Sequence, residues 1–318
     1  MFNANNYFKK LENELRKYFK ILSPEFPDFL IPYIETQTME RLKDVGYFCG
    51  MDYASEDIYD FKYYFSRLDH SIATALIVWD FTNGKTQTLA SLFHDAGTPA
   101  CSHAVDYAFD DAENQEITEI YLVDYLKKDA KLIEQLKKDG IALEAVANYK
   151  NYPLVDCDRP KLCADRIEGL FSNNMIWTQE LSLSEVKELY EALCLRENED
   201  GDLEFCFIDE DKAYRLVELN GIINKYWHSD EDYYFMMLLG KMIRDIVDIK
   251  AVTREKLHDM IDAEVFKIIE ELSTHDSYLA SLYYEFKNLK KVEPQINRLP
   301  IKIRDIKPMV FKKRNFRR

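Results

Sequence analysis

The chain has 318 residues, of which 47% are hydrophobic and 31% charged, enough for one large domain or for a domain with an appendage. Its net charge of −15 disfavours broad binding to nucleic acid or to an anionic membrane, because both partners need a basic face. A small anionic substrate held by a metal ion and a few basic side chains is compatible with it. Glycine and proline number only nine each, which favours long helices and an all-α fold.

The six cysteines include no CxxC pair, so we expect reduced thiols. The N-terminus lacks the basic and apolar regions of a signal peptide. No stretch reaches 18 uninterrupted apolar residues, so no membrane span is expected. These features predict a cytoplasmic protein with no membrane partner, and they leave a homo-oligomer open.

The apolar residues of the first hundred positions recur with helical spacing. Helices are predicted over residues 6–22, 38–45, 61–82 and 86–94. The range 61–82 carries apolar residues on more than one face, which predicts a helix that is buried on several sides. Asn83-Gly84 is expected to end that helix, and Gly97 and Pro99 to end the next one.

The remainder of the chain continues this pattern and then changes character. Helices are predicted over residues 113–127, 130–137, 139–149, 183–195, 210–228, 231–248, 254–272 and 277–288. Asp158 and Pro160 are suited to begin a further helix that carries Asp165. Prolines interrupt Ile-rich runs in roughly the last thirty residues, which predicts extended chain or a small hairpin there.

The residues that indicate metal binding or catalysis all lie before about residue 175. We therefore predict three parts. A helical N-terminal segment spans residues 1–40, a central metal-binding catalytic domain spans 41–175, and a helical C-terminal region that packs on it spans 176–318.

Two histidines and two aspartates form a candidate metal site. His70 is followed 24 residues later by the adjacent pair His94 and Asp95, and Asp165 lies on a later predicted helix. Imidazole nitrogens and carboxylate oxygens together suit a divalent ion such as Mn, Fe, Co, Ni or Zn, with Mg as a further candidate. Such an ion lowers the pKa of a bound water and neutralises charge on phosphoryl oxygens. We predict one divalent metal ion.

Two neighbours of this set support this interpretation. Arg67 precedes His70 by three residues, so both lie on one helix face, and a guanidinium there can bind a phosphate with two N–H groups. His103 follows His94 and Asp95 after a short loop. It is a third histidine close to the pair.

Four sequence motifs resemble the successive motifs of the HD superfamily of metal-dependent phosphohydrolases. They are Phe65-Ser-Arg-Leu-Asp-His70-Ser71, Leu92-Phe-His94-Asp95-Ala-Gly97, Ser102-His103 and Ala164-Asp165-Arg166-Ile-Glu168. The match covers roughly residues 60–172, and it is most similar to the deoxynucleoside triphosphate triphosphohydrolase branch. A single His-Asp dipeptide is uninformative, whereas this ordered set with Arg67 is specific.

The resemblance implies an HD-domain helical bundle over the central range and a role for each matching residue. His70, His94, Asp95 and Asp165 would ligate the metal ion. Arg67 would contact substrate phosphate, and His103 matches a histidine that faces the phosphates. Glu116 matches the glutamate of the branch's next motif, His-Glu, and is a further catalytic candidate.

Two positions depart from that branch. Thr98 stands where a histidine usually follows His-Asp-x-Gly, and Gln115 stands where the His-Glu motif supplies a proton donor. A glutamine cannot shuttle protons. The missing histidines also argue against a dinuclear centre.

The sequence therefore predicts a metal-dependent phosphohydrolase that acts on a nucleotide phosphoester or phosphoanhydride, with a dNTP or NTP favoured, through a metal-activated water. Asp95 would orient or deprotonate that water. Two alternatives stay open. One is a non-catalytic nucleotide-binding sensor or assembly subunit that retains the metal site, and the other is a phosphodiesterase.

Overall fold

The structure is a computed structural model, and it describes residues 13–115, 121–295, 298–312 and 315–317. Glu116 and the beginning of the helix predicted over 6–22 lie outside the described residues. The predicted mostly helical fold is confirmed. Among the described helices, none is both long and apolar enough to span a lipid bilayer.

Nine of the described helices precede residue 150. They are α1 (Asn13–Leu22), α2 (Ile31–Ile34), α3 (Gln37–Arg41), α4 (Arg67–Thr82), α5 (Lys85–Phe93), α6 (Ala104–Ala108), α7 (Leu122–Lys128), α8 (Ala130–Lys138) and α9 (Leu143–Ala147). Single 3-10 turns occupy Asp28–Leu30, Leu42–Asp44, Met51–Tyr53 and Tyr149–Asn151.

The later helices are longer, and a small sheet accompanies them. The helices are α10 (Ala164–Ile176), α11 (Leu183–Glu191), α12 (Glu210–Trp227), α13 (Asp230–Asp248), α14 (Arg254–Leu257), α15 (Asp262–Ser273) and α16 (Ser277–Asn288). The strands are β1 (Leu193–Glu197), β2 (Leu203–Phe207), β3 (Met309–Lys312) and β4 (Asn315–Arg317).

Helix α4 forms the centre of the fold. A capping box fixes its start, because the backbone N–H of Asp69 donates to Ser66 Oγ while the backbone N–H of Ser66 donates to Asp69 Oδ2. Every residue from Arg67 to Val78 is buried, which confirms the predicted burial on several sides. The helix packs against α5 and α10, and these three elements carry the candidate metal ligands.

The four strands form one sheet in the order β1-β2-β3-β4. Strands β1 and β2 are an antiparallel hairpin with Cys194 opposite Cys206, and β3 pairs in parallel with β2. The helix predicted over 183–195 is therefore wrong at its end, since α11 stops at Glu191 and the chain turns into β1. Short runs of Leu, Cys and Phe are compatible with a helix or with a strand, and here the pairing with a neighbouring strand determines the structure.

The extended C-terminal segment crosses the face of the helical domain before it joins the sheet. We call residues 298–308 the C-terminal strap. Its Lys307 N–H donates to the carbonyl of Pro160 at 2.8 Å, and Arg298 donates to the carbonyls of His228 and Ser229. Strands β3 and β4 then form an antiparallel hairpin. The prediction of extended chain and a small hairpin is confirmed.

One continuous hydrophobic core joins the three predicted parts of the chain. It contains Phe19, Phe171 and Leu239, one residue from each part, and all three are fully buried. Helix α13 packs on α6, which brings the C-terminal helices against the segment that follows His94 and Asp95. The domain boundaries themselves stay a prediction.

Candidate metal centre and cavity

The structure brings the four predicted metal ligands together from three separate elements. His70 lies in the first turn of α4, His94 and Asp95 lie in the turn that ends α5, and Asp165 lies in the first turn of α10. The Nε2 atom of His70 is 3.2 Å from Nε2 of His94 and 3.0 Å from Oδ1 of Asp165. Oδ2 of Asp95 is 3.8 Å from both histidine Nε2 atoms.

This donor set fits a single divalent ion. Ligand atoms that each lie about 2.1 Å from one ion are about 3.0–3.4 Å apart in octahedral or tetrahedral geometry. The His70, His94 and Asp165 atoms are separated by 3.0–3.6 Å, and small side-chain adjustments bring Asp95 into the same range. Nitrogen and oxygen donors in this ratio suit a borderline or hard divalent cation. His70, His94 and Asp95 thus form a group that could hold a metal ion.

A buried glutamate orients His70. The Nδ1 atom of His70 donates to Glu168 Oε2, and Glu168 also accepts a hydrogen bond from the Tyr18 hydroxyl at 3.2 Å. Burial lowers the pKa of His70, but the charge of Glu168 and the hydrogen bonds to Asp165 and Glu168 outweigh it and raise that pKa to about 10. The contact with Glu168 keeps a proton on Nδ1 and turns Nε2 towards the site, so Nε2 is the atom that would bind a metal ion after losing its own proton.

His94 is oriented by the backbone of its own helix. Its Nδ1 atom donates to the carbonyl of Ser91 at 2.7 Å, which again leaves Nε2 for the site. The turn that follows is tight, since the Ala96 N–H donates to the carbonyl of Phe93 and the Thr98 N–H to that of Asp95. A β-carbon on Gly97 would lie 3.1 Å from the Cα of Leu122, so glycine lets this turn pack closely against the start of α7.

Both candidate carboxylate ligands are held ionised. Burial raises the pKa of Asp95, but the positive charges of His94, Arg67 and His70 outweigh it and hold that pKa below its ordinary range. Burial acts on Asp165 in the same way, and its hydrogen bonds with His70 and His94 hold its pKa well below the usual value. The site therefore offers two negative charges at neutral pH, as a divalent ion requires.

Arg67 is buried at the edge of this site. Its Nη1 atom donates to Asp95 Oδ2 at 2.9 Å, its Nε atom to Ser102 Oγ at 3.1 Å, and its Nη2 atom to the Tyr47 carbonyl at 3.3 Å. The guanidinium also lies 4.9 Å from the ring centroid of Tyr47. Arg67 therefore positions Asp95, and Nη1 carries a second N–H beside the one that Asp95 accepts.

His103 faces the same cavity with one ring nitrogen already engaged. Its Nδ1 atom pairs with Asp106 Oδ2 at 2.9 Å, and the Asp106 carboxylate is fully buried. Burial lowers the pKa of His103 well below its ordinary value, and the nearby charges of Arg67, Arg304 and Lys302 lower it further. A neutral ring with its proton on Nδ1 turns the Nε2 lone pair away from Asp106.

The positions that depart from the resembled family have other partners here. Gln115 accepts a hydrogen bond from Nη2 of Arg304, and its backbone φ is +59°. Thr98 is buried, and its carbonyl accepts from Arg41 Nη2 at 2.6 Å. Glu116 lies outside the described residues, so its catalytic role stays a prediction.

The candidate ligands lie in a cavity of about 320 Å³, which is at the lower end of ordinary small-molecule sites. Its walls combine aromatic and polar side chains. They include Phe48, Tyr107, Tyr149, Trp177, Trp227, Asn173, Asn220 and Asp232. Arg67 and His103 also line it. The cavity can therefore hold a charged group at the ligand cluster and an organic group against aromatic walls.

Three features of the site were not predicted from the sequence. Glu168 stands in the last motif three residues after Asp165, and this helical spacing was the available signal for its role beside the metal ligands. Tyr47 stacks on the His70 ring at 4.8 Å between centroids. Arg159 and Arg304 also line the cavity. No local pattern marks Tyr47 or Arg304, because only the tertiary fold brings them to the site.

Comparison with known proteins gives a distant similarity to a protein that is named as a metal-dependent phosphohydrolase. The chain is 22% identical over 208 residues to a protein named metal-dependent phosphohydrolase cns2 from the fungus Cordyceps militaris, a match that covers 65% of this chain and 59% of that protein. The matched region thus spans about three fifths of the relative. No protein-family model matches the chain.

Proposed function

We propose that this protein is a metal-dependent phosphohydrolase of the HD superfamily that hydrolyses a nucleotide phosphoester or phosphoanhydride. The observation that carries the proposal is the convergence of His70, His94, Asp95 and Asp165 on one point at a cavity wall. The similarity to a protein named metal-dependent phosphohydrolase supports the reaction class. The nucleotide, with a dNTP or NTP favoured, rests on the motif resemblance.

The ligand cluster would hold one divalent ion. When bound, such an ion supplies a water of lowered pKa and neutralises charge on phosphoryl oxygens. Asp95 is ionised and can accept a hydrogen bond from the attacking water, which aligns that water with phosphorus. Glu168 and the Ser91 carbonyl fix the two imidazole rings through their Nδ1 atoms, so the chain keeps these ligands oriented.

Arg67 and His103 are suited to the phosphate oxygens. The second Nη1 N–H of Arg67 can donate to one oxygen while the first stays on Asp95. His103 can take up a proton as a dianionic phosphate approaches, since a nearby negative charge favours the imidazolium form. It could then donate that proton to the leaving oxygen as phosphorus–oxygen cleavage proceeds.

A non-catalytic nucleotide sensor is the second candidate function, and one observation favours it. Gln115 occupies the position of the resembled family's proton donor and is engaged by Arg304. A chain that had lost this donor could still bind metal and nucleotide. A phosphodiesterase would use the same metal ligands, and the products of the reaction distinguish it.

A panel of dNTPs, NTPs, NMPs and cyclic dinucleotides tests the proposal, each assayed with Mn²⁺, Mg²⁺, Co²⁺ and Ni²⁺. We expect metal-dependent release of phosphate or of a phosphate chain from at least one nucleotide. The matched control is the double variant His94→Ala/Asp95→Ala, which should lose both bound metal and turnover. Tight nucleotide binding without turnover under all four metals would replace the proposal with the sensor.

A further inference from the structure

The charge of the cavity is opposite to that of the whole chain. The protein has 42 basic and 57 acidic residues. The cavity is lined by the basic residues Arg67, Lys150, Arg159, Arg166, Lys302 and Arg304, against the acidic residues Asp95, Asp156, Asp165 and Asp232. Two of these four acids are candidate metal ligands, whose charge a divalent ion would cancel. The remaining wall is therefore basic, and it favours an anion.

Not every one of these basic side chains is available. Arg67 is held by Asp95, and Arg166 donates to Asp156 and to the carbonyls of Cys157 and Lys161. Arg159 differs. Across the ranges that the structure describes, no hydrogen bond or ion pair engages its guanidinium, although the side chain is half-buried and lines the cavity. A half-buried guanidinium without a hydrogen-bonded counter-ion is costly unless an anion joins it.

The C-terminal strap adds a second arginine beside the first. The hydrogen bond from Lys307 to Pro160 fixes the strap against the segment that carries Arg159. Arg304 is thereby directed into the cavity, where it lies 5.4 Å from the Trp227 ring centroid and donates to Gln115. Burial and the charges of Arg304 and Arg166 lower the pKa of Arg159 to about 10, which reflects the closeness of these cations.

We propose that Arg159 and Arg304 form a second anion-binding subsite, which binds a phosphate group of the substrate other than the one at the metal ligands. This inference rests on the proposed function and deepens it. The substrate would carry at least two anionic groups, as a phosphoanhydride or a bisphosphate does, whereas a simple monoester would leave the arginine pair unused. Guanidinium groups suit this task because their N–H pairs match phosphate oxygens. The pair makes the strap a determinant of specificity.

Two non-hydrolysable ligands that differ by one anionic group test the subsite directly. Methylphosphonate and methylenebisphosphonate are titrated calorimetrically into the purified protein, into Arg159→Gln, Arg304→Gln and the double variant. Lys307→Gln is the matched control, because Lys307 is an exposed cation of the same strap. We expect the bisphosphonate to bind the parent protein more tightly by roughly tenfold or more, the scale of a hydrogen bond to a charged group.

The double variant should lose that preference and Lys307→Gln should keep it, while methylphosphonate affinity stays nearly constant throughout. Arg304→Gln removes a contact to Gln115 and could alter folding, so thermal unfolding is recorded for each variant. Arg159→Gln removes no hydrogen bond or ion pair among the described residues and should unfold as the parent does. Equal affinities of the parent for the two ligands would overturn the proposal, and so would an unchanged preference in the double variant.

The same data separate this inference from the function beneath it. A bisphosphonate preference that depends on the arginine pair, in a protein without turnover on any nucleotide, would refute the hydrolase and retain the subsite. Turnover of single-phosphate esters without any preference for the bisphosphonate would refute the subsite and retain the hydrolase.

Discussion

Glu168 accepts a hydrogen bond from Nδ1 of His70, on the side of the ring opposite to the candidate metal site. Glu168 is fully buried, and the Tyr18 hydroxyl donates to its other oxygen. A buried carboxylate in this place makes the imidazole a better electron donor and fixes its orientation. His70 and Glu168 thus act as one unit, although they are 98 residues apart.

The first prediction follows from that pair. Glu168→Gln keeps an oxygen that can accept from His70 but removes the charge, so the metal affinity should fall by roughly 10–100-fold. Competition with a chelator, read by elemental analysis, measures the change. Glu204→Gln is the matched control, because Glu204 is also a buried glutamate and accepts from the Leu162 N–H and from Asn198, away from the ligand cluster. Equal metal affinity in both variants would show that Glu168 does not contribute to metal binding through His70.

Helical elements could be read from the sequence because their apolar spacing is local. The predictions over 210–228 and 277–288 match α12 and α16 within one residue. Tertiary contacts explain the misses. The helix predicted over 254–272 is split before Asp262, whose carboxylate accepts from the N–H groups of Gly46 and Cys101. Those partners lie more than 150 residues away, and no local signal reports them.

The candidate site divides in the same way. His70, His94 and Asp165 could be predicted from the sequence because they stand in an ordered set of motifs and because imidazole and carboxylate groups suit a divalent ion. An arginine such as Arg304 is ordinary by type, and only the path of the C-terminal strap gives it a position in the cavity. The sequence therefore predicts the residues that stand in motifs, and it does not predict the residues that only the tertiary fold brings to the cavity.

Arg67 gives the second prediction. Its guanidinium is buried and bound to Asp95, Ser102 and the Tyr47 carbonyl. Arg67→Ala should therefore weaken substrate binding and also lower the melting temperature, because a buried pair that loses one partner is costly. Arg67→Lys should restore a positive charge beside Asp95 but not the paired N–H groups of the guanidinium. It should therefore recover stability more than substrate affinity. KM, kcat and thermal unfolding are measured together. A normal KM in a destabilised Arg67→Ala protein would show that Arg67 stabilises the fold by pairing with Asp95 and does not bind substrate.

Asp52 gives a prediction for the pH dependence of stability. Burial and the neighbouring Asp262 raise the pKa of Asp52 from 3.8 to about 7, and its Oδ2 atom has no hydrogen-bond partner among the described residues. The folded state thus holds a proton that the unfolded state releases. The stability that depends on this proton is present below about pH 4 and is lost as the pH rises through about 7.

Asp52→Asn removes this titration and offers an amide that can donate to a carboxylate. The melting temperature of the variant should exceed that of the parent by a margin that grows from about pH 5 to about pH 8. Asp44→Asn, at an exposed position of the same region, should show no such trend. A margin that stays constant or shrinks with pH would contradict the assignment of the proton to Asp52.

The last prediction concerns the proton donor. Hydrolysis of a phosphate ester expels an alkoxide, and general acid catalysis of that step is typically worth about 10²–10⁴-fold. Gln115 cannot supply the proton, and His103 lines the cavity with its Nδ1 on Asp106. If His103 is the acid, His103→Ala should lower kcat by that factor on an alkyl or phenyl phosphate ester and only mildly on a p-nitrophenyl ester. An equal loss on both esters would assign His103 to phosphate binding alone.

The pH profile tests the same assignment through its sign. The pKa of His103 is lowered by burial and by Arg67, Arg304 and Lys302, so the protonated fraction falls as the pH rises through that lowered value. On the poor leaving group, kcat/KM, which reports groups of the free enzyme, should therefore decline as the pH rises through that lowered value, and kcat/KM for the p-nitrophenyl ester should not follow. Gln115→His should then raise kcat near neutral pH, since histidine tolerates the φ of +59° found there. Gln179→His is the matched control, because Gln179 has a φ of +57° at an exposed position and should leave the profile unchanged.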